Sequence, residues 1–289
     1  MKHLVVSTKY LIMLMALISC GINSCDVIEE PYTKTGGGGS LVLDTNRPNI
    51  LLEEFTGHTC INCPTGSKIA KTIQQQYPGR VFIVAIHAGS LAAPDLTDDR
   101  YLYDFRTNEG TEMYNSYSSP GLPSGLINRT SFQGNKVLSF PYWNDAVLDF
   151  LTKNTSRQLD IEVSAQYNLS SNEIAASVKL NYLVSQSTQN KLSVWLLEDN
   201  FIGYQKSLDD PFHIPDYQHN DVLRYSFNGA WGEIVNSSAI PAGFDFSQNY
   251  SLIIPSGKDW NVNNLRIIAF VYDDENGVKQ VMDARVEVE

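Results

Sequence analysis

Two cysteines at the junction of an apolar strand and a helix constrain this chain more than any other feature. Cys60 and Cys63 form a Cys-x-x-Cys motif that follows the apolar run Ile50-Leu51-Leu52 and opens a segment with helical spacing. Such a pair can close a small disulfide ring, and the dipole at a helix start favours the thiolate form of the first cysteine. Three interpretations are open: a redox-active pair, an inert structural disulfide, or half of a zinc site. Zinc is disfavoured because no second Cys or His pair lies at ligand spacing, so we predict no metal.

The N-terminus predicts export followed by lipid anchoring. Lys2 and Lys9 precede an apolar stretch that is too short to span a bilayer as a permanent helix, which is typical of a signal peptide. Leu17-Ile18-Ser19-Cys20 closes that stretch and resembles a lipobox, the motif whose cysteine is acylated in bacterial lipoproteins. Cys25 fits less well because it lies beyond the apolar segment, and an ordinary secretory signal is the alternative. We therefore expect Cys20 to be lipidated.

This anchor predicts how the first forty residues are divided. Residues 1–19 are expected to be removed as the signal peptide, and residues 20–40 to form a tether that ends in a flexible glycine-rich run. Gly21, rather than an aspartate, follows the lipobox cysteine and favours the outer membrane over the inner one.

The remaining chain changes its hydrophobic period near residue 155. Residues 41–155 alternate short, continuous apolar runs with helical patterns, which predicts an α/β domain with buried parallel strands. From residue 156 to 289 the apolar residues alternate strictly and an Asn-Gly pair marks a hairpin turn, with no helical period of useful length. We therefore expect a second, all-β domain with an immunoglobulin-like sandwich fold.

Charge excludes one class of partner. The formal net charge of −11 becomes −13 once two lysines leave with the signal peptide. A chain this acidic has no basic surface for nucleic acid, so we predict no nucleic-acid partner. No phosphate-binding glycine loop or other cofactor motif is present in the sequence, and we predict no cofactor.

Several motifs resemble one lipoprotein family. They are Glu53 to Pro64, Ala85-Ile86-His87-Ala88-Gly89, Asp104 to Thr107, Leu122 to Arg129 and Tyr217 to Arg224. Together they resemble the outer-membrane-protein-28-related lipoproteins of Bacteroidetes over nearly the whole mature chain. The resemblance implies a lipid anchor, a thioredoxin-like α/β domain over residues 41–155 and a C-terminal β-domain over residues 156–289.

The thioredoxin-like resemblance also implies roles for individual residues. Cys60 would attack and Cys63 would resolve, while Glu54, six residues before Cys60, would accept a proton as a buried acid. The Leu122–Pro123 bond would be cis and grip a substrate chain, with Pro120 competing for that role. Glu53 would point to the opposite face of the strand from Glu54, and an exposed Glu54 is the alternative.

His58 is a further candidate from its position alone. It lies two residues before Cys60, where an imidazolium would lower the pKa of the thiol, although it fits an ordinary loop histidine equally well.

Two functions follow from these observations. The first is binding or adhesion at the outer membrane, or an accessory role in an outer-membrane nutrient-uptake complex, with a protein or peptide partner. The second is thiol–disulfide oxidoreductase or isomerase activity in the cell envelope. Fold does not decide between them, but burial of both sulfur atoms would favour binding, and an exposed Cys60 beside Pro123 would favour the enzyme.

Overall fold

The computed structural model describes residues 46–117 and 119–289. The predicted signal peptide, Cys20 and the tether lie outside the described residues. Within these two ranges there are three α-helices: α1 (Cys63–Gln76), α2 (Asn108–Ser116) and α3 (Trp143–Lys153). Short 3-10 turns lie at Ser90–Ala92, Asp99–Tyr101, Phe140–Tyr142 and Val262–Asn264.

Most of the regular structure is strand. In chain order the strands are β1 (Ile50–Thr56), β2 (Val81–His87), β3 (Ser124–Ile127), β4 (Leu138–Ser139), β5 (Leu159–Asn168), β6 (Glu173–Tyr182), β7 (Lys191–Glu198), β8 (Phe201–Lys206), β9 (His213–His219), β10 (Val222–Ser226), β11 (Glu233–Ile234), β12 (Asp245–Ile253), β13 (Leu265–Asp273) and β14 (Gly277–Val288).

Among the described residues, 12 of these strands form one mixed sheet. The order along it is β12-β6-β5-β14-β13-β7-β10-β2-β1-β3-β4, with β11 added beside β7. Three neighbouring pairs are parallel, namely β1 with β2, β2 with β10, and β5 with β14. Strands β8 and β9 stand apart as an antiparallel hairpin.

The predicted fold class, an α/β thioredoxin-like domain followed by an immunoglobulin-like β-sandwich, is wrong for this chain. A sheet with strands from both predicted parts replaces the two separate cores, because β10 pairs with β2 through Val222 and Ala85. The described residues, 46–117 and 119–289, form one compact unit. Whether residues 41–155 and 156–289 can fold as two separate domains stays a prediction.

The physical reason for this correction lies in strands β7 and β13. Nearly every residue of both strands is buried, whereas an outer sheet of a sandwich buries only alternate residues. One face of these strands packs against β5, β6 and β12, in the core that contains Leu192 and Ile267. The other face places Trp195 and Phe270 in the same core as Phe55 of β1. Apolar alternation in the sequence predicts that one of these faces is buried, but it does not predict that the other face is buried as well.

The local predictions within the first part are confirmed. The apolar runs form β1 and β2, and the helical pattern between them forms α1, whose Ala70 and Ile73 are buried. Helix α2 was not predicted, although Thr107 caps it by accepting a hydrogen bond from the Gly110 amide. Helices α1 and α3 cover one face of β1 and β2 and form a third core with Leu52 and Trp143.

Candidate functional site

The Cys-x-x-Cys motif lies where the sequence predicted, between the end of β1 and the start of α1. Cys60 and Cys63 form a disulfide, and their Cα atoms are 5.4 Å apart. Cys63 is the first residue of α1, and Pro64 follows within the first turn, where its missing N–H costs nothing. Both cysteines are buried, with exposed fractions of 3 % and 1 %. The exposed Cys60 that an enzyme would need is therefore absent in this conformation.

The β8–β9 hairpin covers the disulfide loop. The Lys206 amide donates to the His58 carbonyl and the Leu208 amide donates to the Ile61 carbonyl, both at 2.8 Å. Gln205, which is buried, donates its side-chain amide to the Cys60 carbonyl at 3.0 Å. These bonds satisfy backbone groups of the loop that would otherwise need water. The hairpin therefore closes the loop that holds the disulfide, and neither its strand pairing nor the role of Gln205 was predicted from the sequence.

Glu54 lies on β1 and is buried against α1. Ser67 of α1 donates a hydrogen bond to Glu54 Oε1 at 2.9 Å, and no cation pairs with the carboxyl among the described residues. Burial raises the pKa of Glu54 to about 8, against a smaller lowering by Ser67. Glu54 is thus a neutral carboxylic acid at pH 7, and the alternative of an exposed Glu54 is wrong.

Leu122 and Pro123 lie at the start of β3, beside α1. The Leu122–Pro123 bond is cis, as the resemblance implied. Pro123 packs against Gly66 of α1, where a Cβ would come within 2.7 Å of the proline ring. A second cis bond, at Asp210–Pro211 in the hairpin, was not predicted.

His58 is fully buried and does not face solvent beside Cys60. Its Nε2 lies 3.3 Å from the Tyr101 carbonyl, and its ring stacks on Tyr101 and contacts Phe105 in a tilted arrangement. Burial lowers the pKa of His58, so the imidazole is neutral at pH 7 and supplies no positive charge to the thiol. Its proposed effect on the Cys60 thiol has no support in this geometry.

A cavity of about 530 Å³ lies between α1 and β9, with β1 and β2 as its floor. We call it the α1–β9 cavity. Its lining residues are Glu54, Thr56, Pro64, Ser67, Lys68, Ala70, Lys71, Ile83, Ala85, His87, Gln205, Tyr217, Gln218, His219, Asn220 and Asp221. Its size falls within the usual range for small-molecule sites. Of the lining residues, sequence reasoning proposed only Glu54 as a site residue; the Tyr217 to Arg224 motif was the signal for the β9 side.

Two histidines in the cavity wall are buried and neutral. Burial lowers the pKa of His219 to about 3 and that of His87 well below its ordinary value. The two ring centroids are 5.7 Å apart. Within the part of the chain that the structure describes, His87 Nδ1 and His219 Nε2 have no hydrogen-bond partner. Unpaired polar atoms of this kind are uncommon in folded proteins and often mark functional sites.

Charges around the cavity are arranged unevenly. Lys68 and Lys71 are exposed on α1 at the rim, and Asp221, which pairs with Arg266, lies near enough to Lys71 for their charges to attract. Burial raises the pKa of Asp221 to about 6, and the attraction of Arg266 opposes that rise. The cavity therefore has a neutral floor, and its rim has two lysines and one aspartate that Arg266 pairs. No group of three or more His, Cys, Asp or Glu side chains is arranged to hold a metal ion in residues 46–117 and 119–289.

On the opposite face of β1, Glu53 forms a buried ion pair with Arg129. Arg129 Nη2 lies 2.7 Å from Glu53 Oε1, and both side chains are at most 2 % exposed. The guanidinium also lies over four aromatic rings, those of Trp195, Trp231, Phe270 and Tyr272. The prediction that Glu53 and Glu54 point to opposite faces is confirmed.

Fold and site together define a β-rich protein with a covered disulfide at a helix start and a polar cavity beside it. The family described as outer membrane protein Omp28 matches residues 111–289, and the chain belongs to this family. Its membership confirms the predicted family and the outer-membrane localisation. Cys60 and Glu54 lie before the matched residues. Among the described residues, none of the helices is both long and apolar enough to cross a bilayer.

Two solved structures from Porphyromonas gingivalis are similar to this chain. HBP35 is 17 % identical, with a TM-score of 0.62, and the match covers 84 % of this chain and 76 % of that one. A domain of the outer membrane lipoprotein Omp28 is 25 % identical, with a TM-score of 0.31, and the match covers 46 % of this chain and 91 % of that one. At these values the similarity to HBP35 shows a shared fold. No curated protein matches the sequence.

Proposed function

We propose that this protein is a binding lipoprotein of the outer membrane, anchored by a lipid on Cys20, in which the Cys60–Cys63 disulfide is structural. The observation that carries this proposal is the burial of both sulfur atoms beneath the β8–β9 hairpin. Thiol–disulfide exchange needs a thiolate to reach one sulfur of the disulfide, so access limits its rate. A covered disulfide instead fixes the start of α1 and, with it, one wall of the α1–β9 cavity.

The partner side of this proposal follows from the same arrangement. A protein or peptide partner, including a subunit of an outer-membrane nutrient-uptake complex, would receive whatever the cavity binds or would contact the surface around it. Adhesion is the other form that binding could take. The tether over residues 20–40 would give the folded unit reach from the membrane.

One observation favours thiol–disulfide exchange as a second candidate. Glu54 precedes the Cys-x-x-Cys motif and holds a proton near neutral pH, as an acid–base residue for Cys63 would. Attack at Cys60 with resolution by Cys63 would then require the hairpin to leave the disulfide loop, breaking the bonds from Gln205, Lys206 and Leu208.

Reduction of the folded protein tests the two candidates. The oxidised protein is incubated with glutathione at pH 7, quenched with iodoacetamide and analysed by mass spectrometry, with and without urea. We expect Cys60 and Cys63 to stay oxidised in the native protein and to be reduced in urea. Gln205→Ala removes the side-chain hydrogen bonds to the disulfide loop and should accelerate reduction without urea. Gln248→Ala, at an exposed position of β12, is the control and should not. Rapid reduction of the native protein, with turnover on a disulfide substrate, would contradict the structural role.

A further inference from the structure

We propose that the α1–β9 cavity binds a small hydroxylated organic carboxylate, such as a sugar acid. This inference rests on the proposed binding function and names its ligand class. It starts from the rim, where Lys68 and Lys71 present two ammonium groups one turn apart on α1. Lys71 donates to Gln74 at 2.6 Å and is attracted by Asp221. The ion-pair partner of Asp221 is Arg266, however, so neither lysine is in an ion pair among the described residues. In a chain of net charge −11, two such lysines at the rim favour an anion.

The floor of the cavity completes the anion site. Glu54 uses Oε1 to accept from Ser67, and Oε2 has no protein partner within the described residues. As a neutral acid, Glu54 can donate a hydrogen bond to a ligand carboxylate, which an ionised glutamate would repel. Other groups that face Glu54 are Tyr217 on β9 and Asp221, and Asp221 is paired with Arg266. The carboxylate therefore meets donors and cations at this end of the cavity.

The histidines specify the rest of the ligand. His219 Nε2 has no hydrogen-bond partner among the described residues and the ring is neutral at pH 7, so Nε2 is an acceptor in the tautomer that carries the proton on Nδ1. A hydroxyl group is the donor that satisfies such a nitrogen without bringing a charge into the interior. The two unpaired ring nitrogens, His87 Nδ1 and His219 Nε2, are shielded from water. A ligand hydroxyl can therefore reach them only after a small shift of the rings. Gln218 at the rim donates its side-chain N–H to Asn200, which leaves its amide oxygen to accept from a further hydroxyl.

Glucuronate and glucose form a matched pair of probes, because they differ by a carboxylate in place of a hydroxymethyl group. Isothermal titration calorimetry of the intact protein at pH 6.5 should detect glucuronate and give an affinity at least tenfold weaker for glucose. Acetate, which lacks hydroxyls, should also bind at least tenfold more weakly than glucuronate. Equal binding of acetate and glucuronate would overturn the role of the histidines.

Three variants locate the site. Lys68→Gln with Lys71→Gln should weaken glucuronate binding about tenfold, because both lysines are exposed and their loss leaves the fold intact. His219→Phe keeps a ring of similar size but removes the acceptor, and should weaken binding of glucuronate more than binding of acetate. Lys179→Gln on β6, which does not line the cavity, is the control and should bind as the unchanged protein does.

The results separate this inference from the proposed function. If glucuronate fails to bind, or binds equally to all three variants, the assigned ligand class is wrong. The proposed structural role of the disulfide is decided separately by the glutathione experiment, which does not depend on any cavity ligand.

Discussion

Glu53 and Glu54 are adjacent on β1, yet they serve opposite faces of the sheet in opposite ways. Glu53 is paired with Arg129, and aromatic side chains enclose the guanidinium. Glu54 has only Ser67 as a partner and borders a cavity. Burying a carboxylate is costly unless a cation and hydrogen bonds compensate it. On the Glu53 face, the chain itself supplies a cation for the carboxylate. On the Glu54 face, the carboxyl has no cation among the described residues and stays protonated up to about pH 8. This difference suggests structure on one face and binding on the other.

The largest expected effect concerns the Glu53 face, which the two predicted domains share. A fragment of residues 156–289 would expose Trp195, Phe270 and their neighbours, which pack against Phe55 and Val84 in the whole chain. We expect this fragment not to unfold cooperatively, as judged by circular dichroism during urea titration. A cooperative transition for the fragment alone would instead support the boundary at residues 155 and 156, and would break the idea of one shared core.

The next effect concerns the ion pair itself. Arg129→Met leaves Glu53 buried without its cation, and loss of one partner of a buried pair costs about 3–5 kcal/mol. We expect urea denaturation to show a decrease in the free energy of unfolding of this size. Arg285→Met, at an exposed position of β14, is the matched control and should change stability by less than about 0.5 kcal/mol. A small effect at Arg129 would mean that the two faces of β1 differ less than their geometry implies.

The last effect concerns the Glu54 face and, unlike the other two, depends on pH. The folded pKa of about 8 lies above the ordinary value of 4.5, so the folded protein holds a proton that the unfolded chain releases. This contribution to stability is complete below about pH 4.5 and is lost as pH rises to about 8, with a limiting slope of about 1.4 kcal/mol per pH unit. We expect Glu54→Gln to remove this contribution.

Urea denaturation of both proteins at pH 5 and pH 8 measures it. At each pH, the free energy of unfolding of the Glu54→Gln variant is compared with that of the unchanged protein. This difference should favour the variant more at pH 8 than at pH 5. Glu287→Gln, at an exposed position of β14, should show the same difference at both pH values. If the Glu54 variant behaves in the same way as Glu287→Gln, Glu54 is ionised in the folded protein and the contrast between the two faces fails.

The sequence predicted the parts of the site that depend on local chemistry. The position of Cys60 and Cys63 at a helix start follows from a short motif, and the opposite directions of Glu53 and Glu54 follow from the period of a strand. The cis bond at Pro123 was implied only by the family resemblance. The covering hairpin could not be predicted, because Gln205 meets Cys60 across 145 positions in the chain. Likewise, the pairing of β10 with β2 leaves no periodic signal, so the alternating pattern of residues 156–289 predicts a separate sandwich.

The position of β14 bears on when this protein can fold. This strand lies between β13 and β5 in the middle of the sheet. Asn49, just before β1, donates its side-chain amide to the Val281 carbonyl and its backbone amide to the Gln280 side-chain oxygen. Residues more than 230 positions apart must therefore meet before the sheet is complete. Because folding slows as contacts become more distant along the chain, β5 must wait for residues 277–288 while one of its edges is unpaired. During synthesis and export, this interval is when the chain is most exposed to aggregation and proteolysis.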